Sequence, residues 1–203
     1  KINHFPMITR RTALKRATLL TLLANTGLAN ELFSEAFAKR IRIGACDWSL
    51  GKNSDPAAFD IAKTIGLQGV QVNMGTVQNN LHLRELEIQQ LYLKKSKETG
   101  IEISSLAIGE LNNVPYKSDP RTEQWVSDSI DVAKNLGVKV ILLAFFNKND
   151  LRNDTVGKQE VISRLKKVVS KAEQNGITLG IESYLSAEEL VDIIQQVGSK
   201  SIK

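Results

Sequence analysis

The sequence predicts an α/β protein with a parallel sheet, built as the first part of a (β/α)8 barrel. Short apolar runs alternate with helix-like segments every ~25–40 residues, the order that βαβ units require. Glycines close successive helix-like segments at Gly66, Gly100, Gly137 and Gly176. A closed barrel needs eight units and about 250 residues. We therefore expect residues 39–203 to contain about the first five βα units plus the start of a sixth strand.

The individual elements follow from apolar runs and helix-boundary residues. Ser54-Asp55-Pro56 and Asp119-Pro120 each place a capping residue before a proline, which is typical of a helix start. Ser186 begins a capping box. The expected strands are residues 41–48, 69–75, 101–108, 138–146 and 177–184, followed by strand-like residues 201–203. The expected helices are residues 54–65, 84–99, 119–135, 157–174 and 186–197.

Composition and charge limit the classes of function. The chain has 42% hydrophobic and 24% charged residues, as in soluble globular proteins. Its pI of about 9.3 comes largely from residues 1–38, which hold five basic and two acidic residues. The remainder has 22 basic and 20 acidic residues, so the charge gives little support to a nucleic-acid partner. With one cysteine and two histidines, the chain is a poor candidate for a Cys/His zinc site.

Residues 1–38 have the pattern of an export signal. The segment 9–15 resembles a twin-arginine motif around Arg10 and Arg11, although Ala13 replaces the usual Phe. The apolar stretch 17–29 has signal-peptide length and is too short for a stable membrane span. Ala36-Phe37-Ala38 supplies a small-x-small cleavage pattern. We expect a twin-arginine leader and an exported or periplasmic protein, the alternative being an ordinary amphipathic helix.

Glu182 is the main candidate for chemistry. It ends the fifth predicted strand, and the carboxyl ends of barrel strands carry the active sites of such folds. The alternative is a solvated carboxylate at a strand end. Candidate substrate contacts at other strand ends are Trp48, Glu110, Asn147 and Tyr184, for which core or ordinary loop roles remain open. We expect His82 to be a surface loop residue and the basic run Arg164, Lys166, Lys167 and Lys171 to be a solvated helix face.

Three segments together resemble the sugar phosphate isomerase/epimerase family, whose members have a xylose isomerase-like TIM barrel. The helix end 173–177 followed by Leu179-Gly180-Ile181-Glu182-Ser183 is similar to the family's fifth strand. Residues 44–50, with Trp48-Ser49-Leu50, are similar to its first strand, and residues 65–71 to the entry of its second. The resemblance covers residues 41–203.

The resemblance implies a divalent metal (manganese, magnesium, zinc or cobalt) held by Glu, Asp, His and Glu on the fifth to eighth strands. Only Glu182 matches a position in this chain, so the other ligands are expected beyond residue 203 and the chain is expected to be truncated and inactive by itself. Gln71 stands where many members have Glu, which leaves the role of that carboxylate open. The implied activity is isomerisation or epimerisation of a sugar by proton transfer next to a carbonyl.

Two other functions remain as alternatives. A non-catalytic periplasmic carbohydrate-binding relative would keep the fold with a lost metal site. An abasic-site nuclease like endonuclease IV is disfavoured, because that branch places histidines after its early strands and His82 is the only histidine beyond the leader. The expected partner is a small sugar or polyol rather than nucleic acid, and the sequence is compatible with an oligomer.

Overall fold

The computed structural model describes residues 41–203, so the predicted leader at residues 1–38 lies outside the described residues. The strands are β1 (Gly44–Cys46), β2 (Gly69–Asn73), β3 (Glu102–Ile108), β4 (Val140–Phe145) and β5 (Thr178–Ser183). The helices are α1 (Ala58–Thr64), α2 (Leu86–Thr99), α3 (Arg121–Leu136), α4 (Thr155–Asn175) and α5 (Ala187–Val197). Every neighbouring pair of strands is parallel, in the order β1-β2-β3-β4-β5. The predicted barrel units are confirmed in this part of the chain.

The residues after α5 pair with β5, as the strand-like ending of the sequence predicts. The amide of Leu179 donates to Ser201 O at 2.7 Å, and the amide of Ile181 donates to Lys203 O at 2.8 Å. The bridge between Leu179 and Ile202 is parallel. Residues 201–203 therefore continue the sheet in the direction of the preceding strands.

Several predicted boundaries differ from the structure: the first helix begins at Ala58 rather than Ser54, and 3-10 turns shift two other boundaries. The first strand ends at Cys46, because Trp48–Leu50 form a 3-10 turn that is closed by Gly51 in a left-handed conformation. The second helix begins at Leu86 rather than Arg84, because His82–Arg84 form another 3-10 turn. The capping box at the start of α5 is confirmed, since Ser186 Oγ accepts from the Glu189 amide at 3.3 Å.

Alternation along the strands separates the core from the interior of the partial barrel. Val70, Val72, Leu106 and Leu143 are fully buried among the apolar side chains of the core. The residues between them, such as Gln71, belong to the opposite face and line a cavity. None of the helices in residues 41–203 is long and apolar enough to cross a bilayer.

Arg164 corrects the prediction that the basic run is a solvated face. Its side chain is only 6% exposed and links α4 to the start of α3. Nη1 donates to Asp119 O at 2.7 Å, Nε donates to Glu160 at 2.6 Å, and the guanidinium lies over the Tyr116 ring. Helical periodicity places this residue on α4 but does not reveal that α3 covers it.

Replacing Arg164 with alanine is expected to lower the free energy of unfolding by about 2–3 kcal/mol, because buried acceptors lose a charged donor. Denaturant unfolding followed by circular dichroism measures the change. Lys166→Ala removes an exposed charge from the same helix and is the control, with an expected effect within about 0.5 kcal/mol. Equal effects of the two substitutions would contradict the buried role of Arg164.

Candidate functional site

A cavity of about 450 Å³ opens at the carboxyl ends of the five strands. Parallel strands direct their carboxyl ends to one edge, where the loops that follow them meet. The cavity is lined by residues from the end of each strand or from the loop that follows that strand. Carboxamides predominate, namely Asn53, Gln71, Asn73, Asn112 and Asn113. Two carboxylates, Glu110 and Glu182, and two aromatic rings, Trp48 and Phe146, also line it.

Glu182 lies in this lining at the end of β5, where strand counting predicts it. Its backbone is paired with Ala144 of β4, which also lines the cavity. Among residues 41–203, its carboxylate has no hydrogen-bond or ion-pair partner, and the residue is exposed. A carboxylate held by the backbone of a strand but not neutralised by a neighbour can accept a proton or bind a cation or hydroxyl group.

Interior polar side chains, two of which line the cavity, connect the first three strands. The Cys46 thiol donates to Gln71 Oε1 at 3.1 Å, and Gln71 Nε2 donates to Ser105 Oγ at 2.9 Å. Burial raises the pKa of the Cys46 thiol, and the nearby charges of Asp47 and Glu182 raise it further. The thiol therefore stays protonated at neutral pH and serves as a hydrogen-bond donor.

Three asparagines shape the cavity wall through hydrogen bonds of their side chains. Asn73 Oδ1 accepts from the Gly109 amide at 3.1 Å, and its Nδ2 donates to Asn53 Oδ1 at 2.8 Å. Asn112 Oδ1 accepts from the Phe146 amide at 2.9 Å. Each bond connects the end of one strand, or the loop after it, to the next, and so stabilises the rim of the cavity. The side-chain NH₂ groups of Asn53 and Asn112 remain available to donate to a ligand. Sequence reasoning missed Asn53 and Asn73, although the position of Asn73 near a strand end was a usable signal.

Asp47 is a fully buried carboxylate behind the cavity wall. Its Oδ2 accepts from the amides of Asn73 at 2.9 Å and Ser54 at 3.1 Å. Its Oδ1 has no hydrogen-bond partner among the described residues. Burial raises the pKa of Asp47 to about 6, since hydrogen bonds from backbone amides offset only part of the desolvation cost.

Three of the predicted site residues meet in the cavity. Trp48 is 39% exposed and lines the wall next to Asn53, so its alternative role as a core residue is wrong. Glu110 is 7% exposed and accepts from Asn113 Nδ2 at a long 3.4 Å. Together with Glu182 they give the cavity one aromatic surface and two carboxylates.

Asn147 and Tyr184 do not line the cavity. Asn147 is exposed in a 3-10 turn with a positive φ of 50°, while its neighbour Asn149 is buried and bonds to Ala144 O. The Tyr184 ring packs 4.7 Å from the ring of Phe146, under the Arg152 guanidinium. Tyr184 therefore packs behind Phe146, which lines the cavity. Substrate contact by Asn147 or Tyr184 stays a prediction.

His82 differs from the expected surface residue. It is half-buried with its ring edge-to-face with Tyr92, and its Nε2 has no partner among the described residues. Burial lowers the pKa of His82, so it is neutral at pH 7. It lies outside the lining of the cavity.

The described residues do not assemble a metal site by themselves. Within residues 41–203, no group of three or more histidine, cysteine, aspartate or glutamate side chains is placed to hold an ion. Hard divalent ions need several oxygen or nitrogen ligands together. Glu182 can supply one of them, and the described part of the chain does not complete the set.

Five parallel βα units with a polar cavity at the strands' carboxyl ends form part of a (β/α)8 barrel. The sequence profile of the xylose isomerase-like TIM barrel family matches residues 59–203, so the chain belongs to that family. This confirms the resemblance to the sugar phosphate isomerase/epimerase family; the segments 65–71 and 173–183 lie within the match, and the segment 44–50 precedes it.

Similar proteins include several epimerases. The chain is 26% identical over 163 residues to 2-epi-5-epi-valiolone 7-phosphate 2-epimerase of Actinoplanes sp. (strain ATCC 31044 / CBS 674.73 / SE50/110), covering 80% of this chain and 60% of that protein. Among solved structures, D-psicose 3-epimerase with D-tagatose from Clostridium cellulolyticum H10 has a TM-score of 0.64 at 15% identity, covering 80% of this chain and 62% of that one.

A third similar structure is a xylose isomerase-like TIM barrel protein from Mycobacterium smegmatis in complex with magnesium. It has a TM-score of 0.63 at 14% identity, covering 79% of this chain and 62% of that chain. The present chain thus spans about three fifths of the length of these relatives. At these identities the solved structures establish the shared fold.

Proposed function

We propose that the whole protein is a sugar isomerase or epimerase that moves a proton next to the carbonyl of a free sugar. The observation that carries the proposal is Glu182, an unpaired carboxylate at the end of β5 in the cavity of a chain from this family. Glu182 takes the proton from the carbon beside the carbonyl. The epimerases among the relatives support this class of reaction.

The rest of the cavity suits a ligand rich in hydroxyl groups. Free amide donors on Asn53 and Asn112 and the acceptor oxygens of Glu110 and Asn113 can pair with hydroxyls. The half-exposed ring of Trp48 offers a flat apolar surface against which the C–H face of a sugar ring packs. These groups orient the substrate, while the carboxylate of Glu182 does the proton transfer.

We also propose that a divalent ion takes part, with Glu182 as one ligand. A bound ion of this kind polarises the carbonyl oxygen of a substrate. In the cavity lining that the structure describes, Glu182 is the one carboxylate without a hydrogen-bond partner, so no step of the reaction is assigned to the ion. Dialysis of the whole protein against EDTA, followed by readdition of manganese, magnesium, zinc or cobalt, tests the requirement by turnover and by the metal content of the protein.

The central test measures exchange of the substrate's carbon-bound hydrogen. The whole protein is incubated with a panel of ketoses and aldoses in D₂O, and products are followed by NMR. An isomerase or epimerase is expected to incorporate deuterium at the carbon next to the carbonyl. Saturable sugar binding without exchange or new products, with all four metals supplied, would instead support the carbohydrate-binding alternative and sink the enzyme proposal.

Export is a separate proposal that rests on residues 1–38. Replacing Arg10 and Arg11 together by lysine is expected to block export while keeping the positive charge, because the twin-arginine pathway reads the arginines themselves. Cell fractionation of a folded reporter fused to the leader measures this. Export of the lysine variant at the level of the unchanged leader would contradict a twin-arginine signal.

A further inference from the structure

The 48–54 loop forms one wall of the cavity, and the buried carboxylate of Asp47 connects its far end to β2. The loop leaves β1 at Asp47 and carries Trp48 and Asn53, both of which line the cavity. Within the loop, the amides of Leu50 and Lys52 donate to Asp47 O at 3.1 and 2.9 Å. These bonds shape the turn but do not attach it to the neighbouring strand.

The attachment runs through the Asp47 carboxylate. One oxygen, Oδ2, accepts from Ser54 at the far end of the loop and from the backbone of Asn73 at the end of β2. The Asn73 side chain then reaches forward to Asn53. Asp47 therefore connects β1, the loop and β2 at one point, and the connection continues to a residue of the cavity wall.

We infer that Asp47 is a positioning residue that docks the 48–54 loop on β2 and so sets Trp48 and Asn53 in the substrate cavity. Without an acceptor at this position, the amides of Ser54 and Asn73 lose their partner, and a buried amide without a partner is costly. An undocked loop restores their hydrogen bonds through water. The substrate part of this inference rests on the proposed function, but docking itself is measurable without turnover.

The burial of Asp47 also predicts that docking of the 48–54 loop depends on pH. Burial raises the pKa of Asp47 from 3.8 to about 6 while the loop is docked, and an undocked, hydrated carboxyl returns toward its ordinary value. The docked state thus binds the proton more tightly, so docking is favoured as pH falls through 6 and weakened as pH rises through it. The titratable groups facing Asp47 are Cys46 on β1, Asp55 after the loop and Tyr92 on α2.

Trp48 reports docking directly. The chain has two tryptophans, and Trp125 is buried in α3, so a Trp125→Phe background leaves Trp48 as the sole indole of the 203-residue chain. Acrylamide quenching of its fluorescence measures exposure. In this background, Asp47→Ala is expected to raise the quenching constant at least about twofold, as local opening exposes the ring. Asp47→Asn keeps an acceptor oxygen and is expected to preserve the shielding.

Asp55→Ala is the matched control. It removes a nearby carboxylate that accepts from the Ala57 amide after the loop and forms an exposed ion pair with Lys52, which contributes little, and it leaves the Asn73 contact of Asp47 intact. Quenching in this variant is expected to match the background. A similar rise in Asp55→Ala and Asp47→Ala, or no rise in a folded Asp47→Ala, would overturn the inference.

The pH profile decides the matter if Asp47→Ala does not fold. With Asp47 present, quenching of Trp48 is expected to increase as pH rises from 3.8 to about 6 and to level off above that range. In Asp47→Asn the same titration is expected to be flat. Identical titrations of the two proteins would overturn the inference, whereas failure of the sugar assays alone would leave this result unchanged and count only against the proposed function.

Discussion

Replacing Gly75 with alanine is expected to lower the free energy of unfolding by about 3–5 kcal/mol, from backbone strain together with a steric clash. Gly75 follows β2 with a φ of +124°, a conformation that residues with a Cβ rarely adopt. An added Cβ would lie 2.7 Å from Leu81 Cα and 2.8 Å from the His82 amide nitrogen. Both atoms belong to backbone, so a side-chain rotation cannot relieve the contact. Urea unfolding followed by circular dichroism measures the loss.

Gly100→Ala is the matched control for this substitution. Gly100 ends α2 with a φ of +75°, and an added Cβ there meets nothing within 4 Å. Gly100→Ala is expected to lower the free energy of unfolding by only about 1–2 kcal/mol, the cost of a left-handed backbone at a residue with a Cβ. If Gly75→Ala cost no more than Gly100→Ala, the close approach of the 75 and 81–82 backbones would be refuted.

The same close approach has a consequence for the cavity. Thr76 lines the cavity directly after Gly75, and its amide donates to Asn79 Oδ1 at 2.8 Å. The Asn79 oxygen would lie 2.7 Å from a Cβ on residue 75. A partly folded Gly75→Ala protein is therefore expected to lose this turn first.

The order of the elements could be predicted because local chemistry determines it. Gly176 ends α4 in a left-handed conformation and Ser186 caps α5, and both signals are readable within a few residues of sequence. Counting these units placed Glu182 at the end of a fifth parallel strand, which is confirmed. Because the carboxyl ends of parallel strands lie at one edge of the sheet, Glu182 then lies in the cavity.

Contacts between distant segments could not be predicted in the same way. Asn53 and Asn73 meet across 20 residues, and Arg164 reaches Asp119 across 45. Neither pair has a periodicity or spacing that marks it, because each depends on how loops and helices pack after the sheet has formed. Asp47 reads as the polar end of a strand, and only the fold reveals that its carboxylate is buried under the loop that follows.

Replacing Glu182 with glutamine is expected to reduce deuterium exchange into substrate by about 10²–10⁴-fold in the whole protein, the usual contribution of a general base. Glutamine keeps nearly the same shape and one acceptor oxygen but cannot take a proton at neutral pH. Sugar binding, measured by calorimetry, is expected to persist, because the carboxamides and Trp48 remain in place. A loss of exchange with sugar binding and metal content unchanged would separate proton transfer from binding of the sugar and the ion.

Glu188→Gln provides the control, because it makes the same chemical change at an exposed position in the first turn of α5, outside the cavity lining. Exchange in this variant is expected to equal that of the unchanged protein. Glu110→Gln is the informative intermediate case: it alters a cavity carboxylate assigned to hydroxyl binding, so it should raise KM more than it lowers kcat. If Glu182→Gln behaved like Glu188→Gln while Glu110→Gln abolished exchange, the general base would be Glu110, and the assignment made from the end of the fifth strand would be wrong.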